Sequence, residues 1–174
     1  MFVIKLLSKL IKVLRSNESP AQLAWGFVLG MIIGLTPFWN LHNLLVFFLI
    51  TIFNVNIAMA TLSFAVFTLF AYLLDPLFHN LGYALLVNIE SLRPLWIFTS
   101  TTPVLAWANL NNTVVLGSLV VSLVLLLPMF FFTKWWVRLY RDKVDVHVQK
   151  FKIVQLIKGS KLFGLYQKIS QLGE

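Results

Sequence analysis

The sequence predicts an all-α integral membrane protein with two to four transmembrane helices, an N-terminal helical hairpin and amphipathic helices at both ends. Three observations carry this expectation. First, 59% of the 174 residues are hydrophobic and only 11% are charged, with a mean hydropathy of +0.86; a soluble domain carries about 25% charged residues. Second, the charge is segregated. Lys5, Lys9, Lys12 and Arg15 precede a long block whose single basic residue is Arg93, and nine more basic residues lie from Lys134 onward. Third, that block consists of apolar runs punctuated by Asn, Gly and Pro. Too little polar surface remains to cover a water-soluble globule, so lipid is the solvent for much of the chain. Three regions follow: a basic amphipathic interfacial helix at 1–16, a membrane domain at 17–136 and a basic amphipathic tail at 137–174.

In the first region Lys5, Ser8, Lys9, Lys12 and Arg15 share one narrow face at about 100° per residue, and Phe2, Leu6, Leu10 and Val13 cover the rest. Such a helix suits a membrane surface, with lysines among headgroups and leucines among acyl chains. Ser19-Pro20-Ala21-Gln22 is a helix start: Ser19 caps, Pro20 fits the first turn and Gln22 completes a capping box. The helix runs to Leu35, where Thr36-Pro37 stops it. A second apolar segment spans 41–53 and ends at Asn54 and Asn56. A third spans 57–74 and stops at Asp75-Pro76, read as a cap for the next helix. At about 1.5 Å per residue the first two are roughly 24 and 20 Å long, short against a hydrocarbon core of about 30 Å. The third, roughly 27 Å, can cross, and the segment from Thr113 to Thr133, roughly 31 Å, is the best single span despite Pro128. Lys134, Trp135 and Trp136 follow it as an interfacial girdle. Residues 75–112 hold Glu90, Arg93, Pro94 and Pro103 and read as one or two short interfacial helices. With basic residues at both ends, both termini belong in the cytoplasm and the number of crossings is even. Two topologies satisfy this: four crossings, or a re-entrant hairpin followed by two crossings.

Gly26, Gly30 and Gly34 stand four apart in the first apolar helix. Glycine in a helix interior costs about 1 kcal/mol against alanine, so three in nine residues need a reason. They form one flat stripe, and small residues at this spacing let helix backbones approach closely in lipid. The second segment, returned by a short turn, is the expected partner, and self-association with another copy is the rival. The turn itself carries a polar tip of Thr36, Pro37, Asn40, His42 and Asn43. It has a structural reading, in which Thr36 or Asn40 caps the second helix and His42 satisfies freed backbone groups. It also has a functional one, in which the polar groups line a cavity at membrane depth. Glu90 and Arg93, three apart, form a candidate charged pair, expected as a local ion pair at the outer surface.

The stretch SPAQLAWGFVLGMIIGLTPFWNLHNLL, followed by the Asn54–Asn56 turn, resembles the bacterial membrane family domain of unknown function 2062. That family has Ser-Pro at a helix start, a Gly-xxx-Gly helix, a proline-containing turn and a second apolar helix. The resemblance covers residues 19 to about 85. The remainder resembles a proteobacterial subfamily that shares the step Leu74-Asp75-Pro76 and the start Asn111-Asn112-Thr113-Val114. Relatives often carry glycine after the proline of the turn, where this chain has Phe38, Trp39 and Asn40. The resemblance implies a bacterial inner-membrane protein and no particular activity.

The residues themselves point away from catalysis. With no cysteine, disulfides and thiolate metal sites are excluded. His42, His79 and His147 lack metal-ligand spacing, and no nucleophile elbow, phosphate loop or dinucleotide fingerprint is present. No metal or cofactor is therefore expected, and no enzyme activity. The net charge of +8 flanks an apolar block instead of lining a soluble face, which fits anionic lipid headgroups and not nucleic acid. The expectation is a non-enzymatic membrane scaffold or envelope-assembly partner, working with a membrane-protein partner or as a homo-oligomer. The alternative is a small permease or channel built on the hairpin.

Overall fold

A computed structural model of the protein describes residues 10–14 and 16–144. Most of the amphipathic segment at 1–16, and the tail beyond 144, lie outside the described residues. The chain divides into two compact units, Met1–Trp135 and Trp136–Glu174. Every regular element among the described residues is helical: α1 (Pro20–Leu35), α2 (Leu41–Ile52), α3 (Ile57–Tyr83), α4 (Arg93–Thr101), α5 (Pro103–Ala106) and α6 (Thr113–Leu139). A π-helical turn at Ala84–Asn88 and a 3-10 turn at Glu90–Leu92 join α3 to α4, and a second π turn, Tyr140–Val144, follows α6. In the second unit the rings of Trp136 and Tyr140 lie 6.3 Å apart.

Local chemistry sets the helix starts. At α1 the Ser19 hydroxyl accepts from the Gln22 amide at 3.2 Å while Gln22 Oε1 accepts from the Ser19 amide at 2.7 Å, so both members of the capping box are engaged. At α3 the Asn56 side chain accepts from the Met59 amide, and at α6 Asn112 Oδ1 accepts from the amides of Val114 and Val115 at 3.0 and 3.2 Å. Two apolar stretches, 57–88 and 113–143, are long and apolar enough to cross a membrane. Each contains a 27-residue α-helix, about 40 Å at 1.5 Å per residue.

The helix end expected at Asp75-Pro76 is not there. α3 runs through both residues to Tyr83, and Asp75 is an exposed residue on its flank instead of a cap. Proline removes one backbone bond, but the helix beyond it is clamped by packing. A Cβ on Gly82 would meet the Thr113 backbone, and a Cβ on Gly117 would meet the backbone of Phe78. Phe78 is fully buried. These two reciprocal contacts pair the end of α3 with the start of α6, antiparallel, and hold the segment after Pro76 in helical form.

The glycine stripe faces α3, not α2. A Cβ at Gly26 would collide with the Asn56 carbonyl, one at Gly30 with Ala60, and one at Gly34 would lie 2.8 Å from the Phe64 carbonyl oxygen. The partners advance by four on both helices, so α1 and α3 run parallel, with backbones in contact along two turns. Ser63 Oγ adds a bond to the Phe27 carbonyl at 2.6 Å. The expected α1–α2 seam fails for a steric reason. α2 presents Leu, Ile, Val or Phe at nine of its twelve positions, whereas α3 meets the stripe with the small Ala60 and with bare backbone at Asn56 and Phe64.

α1 is thereby the central helix; every residue from Val28 to Leu35 is buried. Its other side meets α6, where the rings of Trp25 and Phe130 lie 4.6 Å apart. α2 is the opposite case. Asn43 and Val46 are its only buried residues, and Leu44, Leu45, Phe48 and Ile52 are each more than half exposed. An apolar helix turned outward makes a contiguous apolar surface of a kind that soluble monomers rarely carry.

Candidate functional site

The polar residues of the block converge on the turn between α1 and α2. α1 ends because Pro37 supplies no amide and biases Thr36 to extended backbone. Thr36 Oγ1 lies 2.8 Å from the Ile32 carbonyl and 2.9 Å from Asn43 Oδ1, and its single proton serves one of them at a time. Asn43 Nδ2 donates to the carbonyls of Pro37 at 2.9 Å and Phe38 at 3.2 Å. Asn40 Nδ2 donates to the Pro37 carbonyl at 2.7 Å. Thr36, Asn40 and Asn43 are all buried, and each places its polar atoms on a partner.

Asn40 precedes α2 but makes no side-chain cap bond. Its oxygen is taken instead by Asn109 Nδ2 at 2.7 Å, and the Leu41 amide donates to the Trp107 carbonyl at 3.3 Å. The expected cap is thus replaced by a cross-link to the segment before α6. His42 does not satisfy freed backbone groups either: both of its ring nitrogens are buried without a hydrogen-bond partner. His42→Leu is therefore expected to leave thermal stability unchanged or raise it slightly, because a buried unpartnered polar group costs about 1–3 kcal/mol; a large fall in Tm would show that the imidazole has a partner.

Around the tip an open cleft is lined by Pro37, Phe38, Trp39, Asn40, Asn109 and Asn112 among others. Its polar groups are amides, which exchange hydrogen bonds but neither titrate nor act as nucleophiles. Trp39, 84% exposed, stands beside Phe38 with the ring centroids 5.1 Å apart. A neighbouring cavity joins Thr36 and Phe38 to Thr68, Tyr72 and Asp75 of α3, so the acid of the α3 flank stands beside the tip. Glu90 and Arg93 are elsewhere. Both are exposed and line a separate small cleft with Asn88, and no ion pair joins them. The 3-10 turn, closed by the Arg93 amide on the Glu90 carbonyl, sets residues three apart on one face, yet both side chains are exposed, where an ion pair gains little over hydration.

Two participants escape sequence reasoning. Asn109, at φ 52°, adopts the left-handed conformation that asparagine tolerates; Asn within a Trp-Ala-Asn-Leu-Asn-Asn run was the available signal. Glu18, which precedes the α1 cap, accepts from Asn56 Nδ2 at 2.8 Å, and the Asn56 amide donates to the Gln22 carbonyl at 3.3 Å. The starts of α1 and α3 are tied side by side through this pair. No group of three or more His, Cys, Asp or Glu suited to a metal occurs among the described residues.

The architecture defines an all-helical protein with two candidate membrane-spanning helices, a central glycine-striped helix and an amide-rich turn. The family described as "uncharacterized protein conserved in bacteria (DUF2062)" matches residues 5–144, and the chain belongs to it. An uncharacterized protein of Treponema pallidum (strain Nichols) is 26% identical over 160 residues, spanning 92% of this chain and 98% of its own. No solved structure matches the chain.

Proposed function

We propose that this is a multi-pass protein of the bacterial inner membrane, with four crossings and both termini in the cytoplasm. In this reading it is a non-enzymatic scaffold that holds a membrane-protein partner, or a second copy, during envelope assembly. The observation that carries the scaffold reading is the self-satisfied tip. Thr36, Asn40 and Asn43 direct their hydrogen bonds into their own turn and to Asn109, so the polar groups brace a shape instead of waiting for a solute. The link from Asn40 to Asn109 supports four crossings, since it sets the tip beside the segment that precedes α6. The outward apolar face of α2 supports burial of the first hairpin in lipid.

Topology is testable by labelling because the chain has no cysteine. Trp39→Cys in whole cells is expected to react with a membrane-impermeant thiol reagent as strongly as an external control, Ser100→Cys. Labelling of the control alone would replace four crossings by a re-entrant hairpin. Crosslinking in cells followed by purification is expected to recover one specific partner or a second copy, and recovery of neither would overturn the scaffold. A small permease or channel remains the second reading. One observation favours it, the unpartnered buried nitrogens of His42. Solute flux in proteoliposomes that His42→Leu abolishes would establish it.

A further inference from the structure

At the opposite end of α1 from the tip, a groove of about 400 Å³ opens between the first two helices. It is lined by Trp25, Leu29, Leu49, Phe53, Asn54 and Val55. The lining is apolar except for Asn54, so it fits a hydrocarbon chain and not a polar solute. The groove continues into the exposed side chains of α2, where Leu49 is 38% and Phe53 59% exposed. In a bilayer an acyl chain is the apolar occupant at hand for such a surface.

Among the described residues, Lys134 is linked to the groove through two aromatic rings. Lys134 Nζ stands 5.6 Å from the centre of the Phe130 ring, and that ring lies 4.6 Å from Trp25. The order of groups is therefore ammonium, two aromatic rings, then apolar groove. The Glu18 carboxylate, just before α1, accepts from Asn56. A molecule with an anionic head and an acyl tail has the matching sequence of chemistry: phosphate on Lys134, glycerol over Trp25, chain along Leu29, Leu49 and Val55. A long lysine stem at a membrane boundary places its charge among headgroups in this way.

We propose that this groove is a site for one acyl chain of an anionic phospholipid, with Lys134 selecting the headgroup. The proposal rests on the membrane reading given above and deepens it by naming the lipid class. A zwitterionic lipid fills the same groove but gains less from Lys134, because its own amine offsets the phosphate.

The test uses the full-length protein in phosphatidylcholine nanodiscs and fluorescence quenching by lipids brominated on the acyl chain. Trp25 is isolated from the other five tryptophans by subtracting the signal of Trp25→Phe. Brominated phosphatidylglycerol at low mole fraction is expected to quench Trp25 at about one-fifth of the concentration that brominated phosphatidylcholine requires, the preference one lysine near an anionic headgroup confers. Lys134→Gln should remove that preference and Lys134→Arg should keep it. Val55→Phe, which fills the groove without touching the charge, should weaken quenching of Trp25 by both lipids.

Equal quenching by both lipids in the wild type would overturn the site and leave Trp25 in ordinary annular lipid. Quenching of the other tryptophans but not of Trp25 would overturn it too, and would assign the groove to a protein occupant or to the chain's own tail. If no tryptophan is quenched by either lipid, the chain is outside the bilayer, and the membrane reading fails together with the site.

Discussion

Gly30→Ile is expected to abolish the native pairing of α1 with α3. A Cβ at this position would collide with the Ala60 carbonyl oxygen and lie 2.8 Å from the Ala60 carbonyl carbon and 2.9 Å from its Cα. These are backbone atoms of a helix, so no side-chain rotation relieves the contact, and the two axes must separate. Overpacking against movable side chains costs about 1–3 kcal/mol; here the same separation also breaks the contacts at Gly26 and Gly34 and the Ser63–Phe27 bond. A loss of about 3 kcal/mol or more is a large part of the roughly 5–15 kcal/mol that holds a domain folded. Thermal melting and size-exclusion behaviour in detergent check this. A wild-type Tm and elution profile for Gly30→Ile would refute the stripe as an interface, and Leu44→Ile on the outward face of α2 is the matched substitution expected to change neither.

Asn43→Leu should be the most damaging change within the tip. Asn43 is 1% exposed, and among the described residues its amide is the one side chain that reaches both Pro37 and Phe38 carbonyls. Leucine fills a similar volume and removes both donors. Thr36 retains its bond to Ile32, Pro37 retains its bond from the Asn40 side chain, and Phe38 retains the Asn40 amide at 3.1 Å, so no acceptor is orphaned and the loss is the brace that Asn43 lays across both carbonyls. The expected destabilisation is about 2 kcal/mol, at about 1 kcal/mol net for each of the two bonds lost. Hydrogen exchange at the amides of the turn localises the effect; unchanged protection there would show that the turn is held by backbone alone. The contrast with the neighbouring His42→Leu is sharp, because adjacent residues are predicted to respond in opposite directions.

Much of the helical layout is legible in the sequence because its signals are local. Ser19-Pro20 with Gln22, the Thr36-Pro37 stop and the Asn56 start each act within one turn of chain. The glycine spacing announced a close helix contact for the same reason: three costly residues on one face need a compensating neighbour. Its partner was not legible. Choosing α3 over α2 depends on Ala60 and on the bare backbone at Asn56, which lie 30 residues from Gly30 and Gly26 and carry no conspicuous pattern of their own. Asp75-Pro76 misled because a proline after a capping residue is a strong local stop, and only the distant contacts of Phe78 with Gly117 and Gly82 with Thr113 override it. In the tip, the residues were visible as polar outliers, but their wiring was not. Asn40 looks like a cap from its neighbours in sequence and becomes a cross-link only through Asn109, 69 positions away.

The parallel contact between α1 and α3 also imposes an order on biosynthesis. Gly30 leaves the ribosome 30 residues before Ala60, its closest neighbour across the interface. At roughly 5–20 residues per second that gap lasts about 2–6 s. During it α1 has a bare groove of backbone and only α2 for company, a helix whose bulky side chains do not fit that groove. The nascent hairpin is therefore an incomplete structure that must be kept from pairing with the wrong helix, and the third helix closes the window when it arrives. Slowing elongation between Asn56 and Phe64 should lengthen that exposure without altering a single contact in the finished protein.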